Sequence, residues 1–262
     1  MKHVARKRFG QNFLTDQAVI AAILAAVAPR ADDDLVEIGP GLGALTVPLL
    51  ERLPRLHVVE IDRNIVARLR RRFAEARLVI HEGDALEFDF GTLGRDLRIV
   101  GNLPYNISTP LLFHLARHSA QVRDMHFMLQ KEVVERMVAE PGGAEYGRLS
   151  VMLQYRFDMV LLFVVPAEAF EPRPKVESAF VRLVPRPAAQ RTAIDDATLA
   201  QVVAAAFGQR RKMLRNALRT LLTDAEFDEL GIAPTLRAED VAVADYVRIA
   251  NQLSRRRSAL SA

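Results

Sequence analysis

Short β-branched segments alternate with longer segments of helical periodicity along the first half of the chain. The predicted strands cover residues 35–38, 56–61, 78–80, 97–100 and 125–129. The predicted helices cover residues 15–27, 44–51, 63–73, 110–118 and 132–139. Strands that alternate with helices form βαβ units, because parallel neighbours need a crossover of about helix length. We therefore predict an α/β fold with a doubly wound, mostly parallel sheet.

The pattern changes in the second half of the chain. Residues 160–165 and 178–184 are predicted strands, and the proline-rich connection between them is too short for a helical crossover. These strands must be antiparallel, so the sheet is predicted to end in a hairpin. After a linker at 185–191, helical patterns cover residues 196–207, 210–222, 226–230 and 245–254. We predict a larger domain over residues 1–187 and a small all-α domain over residues 188–262.

Composition narrows the class of protein. Half of the 262 residues are hydrophobic, which is enough to bury a substantial core. No apolar run reaches membrane-spanning length and the basic N-terminal segment has no signal-peptide core, so we expect a cytoplasmic protein. The chain has no cysteine, which excludes disulfides and thiolate chemistry. Lys and Arg outnumber Asp and Glu by 36 to 32, which mildly favours a polyanionic partner.

A glycine-rich turn follows the first predicted strand of the sheet. Gly39, Gly41 and Gly43 have the spacing G-x-G-x-G, which differs from the dinucleotide-binding form and does not require a phosphate. Glu60 and Asp84 lie at the ends of the next two strands, where carboxylates could accept hydrogen bonds from ribose hydroxyls and an adenine amine. An adenosine without phosphates indicates S-adenosylmethionine. The alternative is an ordinary turn with surface acids, but three such features on successive strand ends favour the cofactor site.

The sequence Asn102-Leu103-Pro104-Tyr105 follows the fourth predicted strand. Pro104 fixes its own φ and holds Leu103 extended, so main-chain carbonyls here remain without intrahelical partners. An amide oxygen, free carbonyls and an aromatic ring together could hold a planar base by its exocyclic amine. The alternative is a strand end followed by a helix cap, because Pro110 suits the first turn of a helix.

Together these motifs closely resemble the ribosomal RNA adenine N6,N6-dimethyltransferases. The resemblance runs in order through residues 10–14, 36–41, 59–62, 83–85, 101–108, 128–133, 146–150, 170–176 and 207–212. It looks most like the small-subunit enzyme, which dimethylates two adjacent adenosines in a hairpin loop near the 3′ end of 16S rRNA. The resemblance implies a seven-stranded Rossmann-like methyltransferase sheet and S-adenosyl-L-methionine as cofactor. It further implies a monomer that acts on 16S rRNA in an immature 30S subunit during ribosome biogenesis.

The resemblance also implies roles for individual residues. Those implied to bind the cofactor are Gln11, Asn12, Leu14, Gly39, Gly41, Glu60, Ile61, Asp84, Ala85 and Asn102. Those implied in catalysis are Asn102, Leu103, Pro104, Tyr105 and Phe170. The rings of Tyr105 and Phe170 would lie on either side of the target adenine. Oδ1 of Asn102 and a main-chain carbonyl near Leu103 or Pro104 would accept the two N6–H bonds.

A basic run lies in the predicted helix 210–222. Arg211, Arg215 and Arg219 recur at i, i+4 and i+8, which would make a positive stripe on one helical face. Such a run is usually a solvated face, but beside an RNA-modifying site a role in phosphate contact is favoured. The predicted RNA-binding residues are Arg210, Arg211, Lys212, Arg215 and Arg219. His114 and His118 have helical spacing but no accompanying ligands, so we predict no metal.

Two other functions fit the same motifs. One is a 23S rRNA adenine methyltransferase of the antibiotic-resistance type, with the same site and a different RNA. The other is a non-catalytic ribosome-assembly or transcription factor on the same fold. The intact glycine turn, Glu60, Asp84 and Asn-Leu-Pro-Tyr sequence argue against this second alternative.

Overall fold

The computed structural model describes residues 12–260, and these form two compact units. The first unit holds the described residues up to Val134 together with Met159–Pro185, and the second holds Glu135–Asp158 and the residues after 185. Residues 135–158 thus belong with the C-terminal helices, whereas a single boundary at residue 187 assigned them to the sheet. The reason is packing, because Tyr146 and Val151 are buried in one apolar cluster with Leu199 and Val202.

A seven-stranded sheet organises the first unit. The strands of the chain are β1 (Phe13–Leu14), β2 (Leu35–Ile38), β3 (Leu56–Glu60), β4 (Leu78–Glu82), β5 (Leu97–Asn102), β6 (Val122–Gln130), β7 (Phe157–Val165), β8 (Phe170–Glu171) and β9 (Ser178–Pro185). The sheet order is β4-β3-β2-β5-β6-β9-β7, and β1 pairs separately with β8. The pairs from β4 to β6 are parallel, whereas β9 runs antiparallel to β6. This topology confirms the predicted doubly wound sheet with an antiparallel end.

Most of the predicted helices are found close to their predicted positions. The helices of the chain are α1 (Gln17–Val27), α2 (Thr46–Leu50), α3 (Arg63–Arg72), α4 (Ser108–Arg117), α5 (Lys131–Val138), α6 (Arg148–Gln154), α7 (Asp196–Gly208), α8 (Leu214–Ala217), α9 (Asp224–Leu230) and α10 (Val243–Leu260). Asp16 and Asp62 cap α1 and α3, because each carboxylate accepts at least one main-chain N–H bond from the first turn. None of the helices in the described chain is long and apolar enough to span a bilayer.

The core of the first unit lies between the sheet and its helices. Helix α3 shows how the sequence builds it, since Ile65, Val66 and Leu69 recur at helical spacing and are each 1% exposed. The remaining positions of that helix are mostly arginine and stay in solvent. At the sheet centre, β2 and β5 pair in the register Ile38–Gly101. A Cβ on Gly101 would lie 2.6 Å from the carbonyl oxygen of Ile38, so only glycine fits there.

The second unit is helical, and it corrects one predicted helix. Instead of a helix over 210–222, the structure has α8 over four residues only. The main chain before and within α8 is bonded elsewhere: Met213 forms an antiparallel bridge with Arg237, and the N–H of Leu214 donates to the carbonyl of Leu236 at 2.6 Å. These pairings with 234–237 take groups that a continuous helix would need, so the helix stays short.

Candidate active site

A cavity of about 780 Å³ lies at the carboxyl ends of β2, β3, β4 and β5. Gly39, Glu60, Asp84 and Asn102 line it, each from the end of a different strand or the turn that follows. This edge of a doubly wound sheet is where such folds bind nucleotide-like ligands. The structure thus brings together the features that the sequence predicted on successive strand ends.

The glycine turn forms one wall of the cavity. Gly39 has φ +67 and Gly41 has φ +52, both in the left-handed region that favours glycine. The N–H of Gly39 donates to the carbonyl of Val59 at 3.0 Å, which ties the turn to β3. A Cβ on Gly41 would meet ring carbons of Phe13 at 3.2 Å. Glycine at position 41 therefore leaves room for the Phe13 ring, whereas at Gly39 the wall is main chain that a ligand can approach closely.

Two carboxylates line the wall next to the turn. Glu60 is only 6% exposed, its Oε1 accepts the N–H of Asp62 at 2.7 Å, and burial raises the pKa of its carboxyl. Asp84 accepts the N–H of Leu86 at 2.9 Å, so its carboxylate is held in place by the turn after β4. Between them Ile61 lines the cavity and is 46% exposed, which is unusual for isoleucine. Fixed acceptors beside an open apolar side chain suit the ribose and base of an adenosine.

Glu37 is a cavity residue to which sequence reasoning gave no role. It is 2% exposed, and the hydroxyl of Thr46 donates to its Oε2 at 2.6 Å. Burial and the nearby charge of Glu60 raise the pKa of the Glu37 carboxyl to about 7. The available signal was its place within an otherwise apolar strand, directly before the glycine turn. An acid in such a strand indicates a functional or paired group.

Asn102 sits at the other side of the cavity, where a hydrogen bond fixes its side chain. Its Nδ2 donates to the main-chain carbonyl of Asn12 at 2.9 Å. Its Oδ1 has no protein partner within residues 12–260. The following Leu103 is buried, and its N–H donates to the carbonyl of Met128 at 3.1 Å. These two contacts hold the end of β5 and leave the Asn102 acceptor available to a ligand.

The turn after Asn102 is held by two further contacts. The carbonyl of Pro104 accepts the N–H of Ile107 at 3.2 Å. The hydroxyl of Tyr105 is 2.7 Å from Oγ of Ser178 on β9, and burial raises the pKa of the tyrosine. The ring of Tyr105 is thereby fixed at its outer end, as a stacking platform requires.

The cavity contains nearly all of the residues predicted to bind the cofactor or take part in catalysis that the structure describes. Those that line it are Asn12, Leu14, Gly39, Gly41, Glu60, Ile61, Asp84, Ala85, Asn102, Leu103, Pro104 and Tyr105. Gln11 lies outside the described residues. Phe170 is 4% exposed, packs in the apolar core, and does not appear among the described residues that line the cavity. Its strand β8 pairs with β1 in the register Leu14–Phe170, which holds Phe170 against the buried Leu14.

The basic residues of the second unit are arranged differently from the predicted helical stripe, which is wrong because α8 ends at Ala217. Arg210 pairs with Glu239, with 2.5 Å between Nε and Oε2, and donates to the carbonyl of Ala144. Arg215 is exposed on α8. A separate cavity of about 460 Å³ is lined by Gln209, Arg211, Lys212, Met213, Asn216, Arg219 and Arg237.

Arg237 is a basic residue of this second cavity that sequence reasoning missed. It lies outside the basic run, and the bridge between its main chain and Met213 brings it there. Arg237, Arg211, Lys212 and Arg219 form no ion pair with an acid in the described part of the chain. The cavity is therefore strongly positive, which suits an anionic ligand.

His114 and His118 have other partners. Nε2 of His114 is 2.8 Å from the carbonyl oxygen of Phe88, and Nδ1 of His118 is 3.6 Å from Oδ1 of Asp89. Over the residues that the structure describes, no group of three or more His, Cys, Asp or Glu side chains could hold a metal ion.

Comparison with known proteins gives the family. The family model described as ribosomal RNA adenine dimethylase matches residues 2–255. The chain belongs to this family. Among curated relatives, the ribosomal RNA small subunit methyltransferase A of Dechloromonas aromatica is 64% identical over 252 residues, covering 96% of this chain and 99% of the relative. The protein of the same name from Aromatoleum aromaticum is 66% identical, covering 97% of this chain and 96% of the relative.

Solved structures of dimethyladenosine transferases and related methyltransferases share the fold. A dimethyladenosine transferase from Plasmodium falciparum has a TM-score of 0.81 at 23% identity, covering 93% of this chain and 98% of that one. The 23S rRNA methyltransferase ErmE has a TM-score of 0.71 at 24% identity, covering 93% and 100%. At these identities the likeness establishes the Rossmann-like methyltransferase fold.

This ribosomal RNA adenine dimethyltransferase uses S-adenosylmethionine as methyl donor, and the cavity fits that cofactor. The bare glycine turn leaves room for close approach, while Glu60 and Asp84 provide acceptors for ribose and adenine groups. The carboxylates of Glu60 and Asp84 lie beside the turn, and negative charge there suits a sulfonium cation. The residues predicted to bind the cofactor therefore lie together at this edge of the sheet, and their chemistry suits the groups of the cofactor.

Proposed function

We propose that this enzyme dimethylates N6 of two adjacent adenosines in a hairpin loop near the 3′ end of 16S rRNA. The substrate would be the immature 30S subunit, and the reaction would belong to small-subunit biogenesis in the cytoplasm. Curated relatives named ribosomal RNA small subunit methyltransferase A, at 64% and 66% identity over nearly the whole chain, support the choice of RNA. Support for the chemistry comes from the single arrangement around Asn102.

The two acceptors for the target amine follow from the hydrogen bonds at the end of β5. Oδ1 of Asn102 is directed by the bond from Nδ2 to Asn12, so it can accept one N6–H bond. Of the two candidate carbonyls, that of Pro104 already accepts the N–H of Ile107. The Leu103 carbonyl has no such partner within the described residues, so it is the better candidate for the second N6–H bond. Either assignment uses fixed acceptors that need no reorganisation.

These two acceptors compensate for the low nucleophilicity of the target amine. N6 of adenine is a poor nucleophile because its lone pair is delocalised into the ring. Two acceptors on its N–H bonds favour a pyramidal nitrogen and stabilise the positive charge that develops during attack. When bound, S-adenosylmethionine supplies an electrophilic sulfonium methyl group, so no strong base is needed before attack. The proton leaves the nitrogen afterwards, and the second methylation uses the remaining N–H.

The target base must be unpaired before it can reach this site. A stacked adenine cannot present N6 to a cavity, so the nucleotide has to be flipped out or single-stranded. The fixed ring of Tyr105 would stack on one face of the base. For Phe170 to cover the other face, its ring would have to leave the core, where it is 4% exposed. We therefore propose that Tyr105 is already positioned in the free enzyme to stack on the base, and that Phe170 covers the opposite face of the base only when RNA binds.

Cofactor contacts would come from both sides of the cavity. Asn12 and Leu14 would contact the cofactor, and Gly39 would lie under its methionine part beside Gly41. Gln11, also predicted to bind the cofactor, lies outside the described residues. Glu60 would hold the ribose, while Asp84, Ile61 and Ala85 would surround the adenine. Burial of Glu60 and the main-chain bond to Asp84 support these roles, since both acceptors are already positioned.

The second cavity supplies the proposed RNA contact of the helical unit. Arg211, Lys212 and Arg219 line it together with Arg237, and arginine suits bidentate binding of phosphate oxygens. Arg210 is partly neutralised by Glu239 and Arg215 lies outside this cavity. We propose that the cavity residues dominate phosphate binding there and that Arg210 and Arg215 contribute less.

Parallel methylation assays test the proposed function. Purified enzyme and S-adenosylmethionine are incubated with 30S and 50S subunits that lack the modification, and the rRNA is digested and analysed by mass spectrometry. We expect dimethyladenosine at two adjacent positions of one 16S rRNA hairpin. Exclusive modification of 50S particles would replace the proposal with a 23S activity. Binding of 30S particles without any methyl transfer would indicate an assembly factor instead.

A further inference from the structure

Helix α3 carries a dense group of arginines that the proposed function leaves unused. Five of its ten residues are arginine, and they occupy most of its solvent-exposed positions. Helix α3 belongs to the first unit, and the helical RNA-binding cavity belongs to the second. The arginines of α3 are therefore a separate positive surface on the unit that holds the active site.

The arginines of α3 fall into two groups according to their partners. Nε of Arg63 is 3.4 Å from Oε1 of Glu82, and Nη1 of Arg70 is 3.2 Å from Oε2 of the same carboxylate. Arg68, Arg71 and Arg72 make no ion pair with any acid in the described part of the chain. Two cations thus share one anion on the side of α3 that faces β4, and three cations elsewhere on the helix remain uncompensated.

The uncompensated group extends to the active-site cavity. Arg72 lines that cavity from α3, and Arg52 lines it from the loop after α2. Arg68 precedes Arg72 by four residues, so both lie on the same side of the helix. The guanidinium of Arg72 also lies 5.2 Å from the centre of the Phe73 ring, which restrains it at the cavity edge. We call this group the basic rim; it consists of Arg52, Arg68, Arg71 and Arg72.

Helix stabilisation alone does not account for the basic rim. Cations in the last turn of a helix interact favourably with its dipole, and Arg70, Arg71 and Arg72 lie there. Arg68 precedes the last turn, and Arg52 is not part of α3, so the dipole explains neither. Uncompensated charges also repel one another, which an anionic ligand would relieve.

We propose that the basic rim binds phosphate groups of the rRNA that flank the target nucleotide. The inference rests on the proposed function, because a hairpin loop that inserts one base into the cavity must carry its neighbouring phosphates past the cavity edge. Arginine matches phosphate oxygens through two parallel N–H bonds, and within residues 12–260 no acid is paired with a rim arginine and would have to be displaced first. The rim would hold the backbone close to the site while the base enters the cavity.

A pair of matched double variants tests this role. Arg68→Gln with Arg71→Gln removes two rim charges, and Arg63→Gln with Arg70→Gln removes two charges that are paired with Glu82. Both changes affect the same helix and the same net charge, and none of the four residues lines the active-site cavity. The binding of 30S particles containing unmethylated 16S rRNA is then measured at several KCl concentrations with the full-length chain.

The rim variant is expected to bind about tenfold more weakly, while the control variant stays within about twofold of the parent. The slope of log affinity against log salt should become shallower by about one to two for the rim variant, because each lost phosphate contact removes nearly one released ion. KM for particles should rise more than kcat falls. Binding of S-adenosylhomocysteine by either variant should match the parent.

Equal losses in the two double variants, or an unchanged salt slope in the rim variant, would overturn the role of the rim. This failure is distinct from failure of the proposed function. If the unaltered enzyme methylates 16S rRNA and the two variants behave alike, the function stands and the rim is dispensable. If the unaltered enzyme transfers no methyl group to 16S rRNA, the proposed function fails and the rim loses its assigned ligand.

Discussion

The side-chain nitrogen of Asn102 donates to the main-chain carbonyl of Asn12 at 2.9 Å. The two residues are far apart in sequence, and the bond places the start of the described chain against the end of β5. Because the amide nitrogen is engaged there, Oδ1 is directed away from Asn12. The hydrogen bond therefore sets which end of the amide a substrate meets, and it links Asn12 to the proposed chemistry.

Replacing Asn102 with Ala should reduce single-turnover methylation by about 100- to 1,000-fold, the range seen when one preorganised hydrogen-bonding group is removed. S-adenosylhomocysteine affinity should change by less than about tenfold, because the glycine turn, Glu60 and Asp84 remain. Rapid-quench methylation and calorimetry measure the two quantities separately. Unchanged turnover in the Asn102→Ala enzyme would exclude the proposed role of its Oδ1.

The buried acid Glu37 should make stability depend on pH. Its folded-state pKa of about 7 lies above the ordinary value of 4.5, so folding favours the protonated form. Its contribution is fully present below about pH 4.5 and is lost as pH rises through 7. The Glu37→Gln variant cannot ionise at this position, so it does not lose this stability as pH rises. The free energy of unfolding of the variant minus that of the parent should therefore rise by up to about 3 kcal/mol between pH 4.5 and 8.

Urea unfolding of both proteins across this pH range checks the expectation. Taking the difference between variant and parent cancels the titration of groups that do not interact with Glu37. Glu60 does interact with it, so the measured pH dependence belongs to the Glu37–Glu60 pair. A difference that stays constant with pH would mean that Glu37 titrates normally in the folded protein.

The elements of the fold could be predicted because their signals are local. Strand and helix periodicity is present within each segment, as in α3, where Ile65, Val66 and Leu69 mark the buried side. The predicted helix over 210–222 failed because Leu214 bonds to Leu236, a pairing that local charge spacing cannot reveal. Pairing with residues distant in the sequence, and not local helix propensity, therefore determines the structure of this segment.

In the candidate site, too, some positions could be predicted from local sequence and others depend on pairing with distant segments. Strand-end residues such as Glu60 and Asp84 could be placed together in advance, because parallel strands end at one edge. The burial of Phe170 depends on the pairing of β8 with β1, and the position of Arg237 depends on its bridge to Met213. Neither contact has a local signature, so neither followed from the sequence.

Gly101 should tolerate no side chain. A Cβ there would lie 2.6 Å from the carbonyl oxygen of Ile38, which belongs to the paired strand and cannot move alone. Gly101→Ala is expected to lower the free energy of unfolding by about 1–3 kcal/mol, as overpacking of a core does. The matched control is Gly83→Ala, where no atom lies within 4 Å of the added Cβ. Equal stability of the two variants in urea would show that β2 and β5 can separate without cost.

The cavity of the helical unit predicts which basic residues bind RNA. Arg237→Gln should weaken 30S binding about as much as Arg211→Gln, because both side chains line this cavity. Arg215→Gln, which removes the same charge from the exposed side of α8, should have less than about half of that effect on the free energy of binding. A continuous helical stripe would give the opposite order, with Arg215 important and Arg237 silent. Filter binding at fixed salt distinguishes the two arrangements, since affinity for RNA depends steeply on salt.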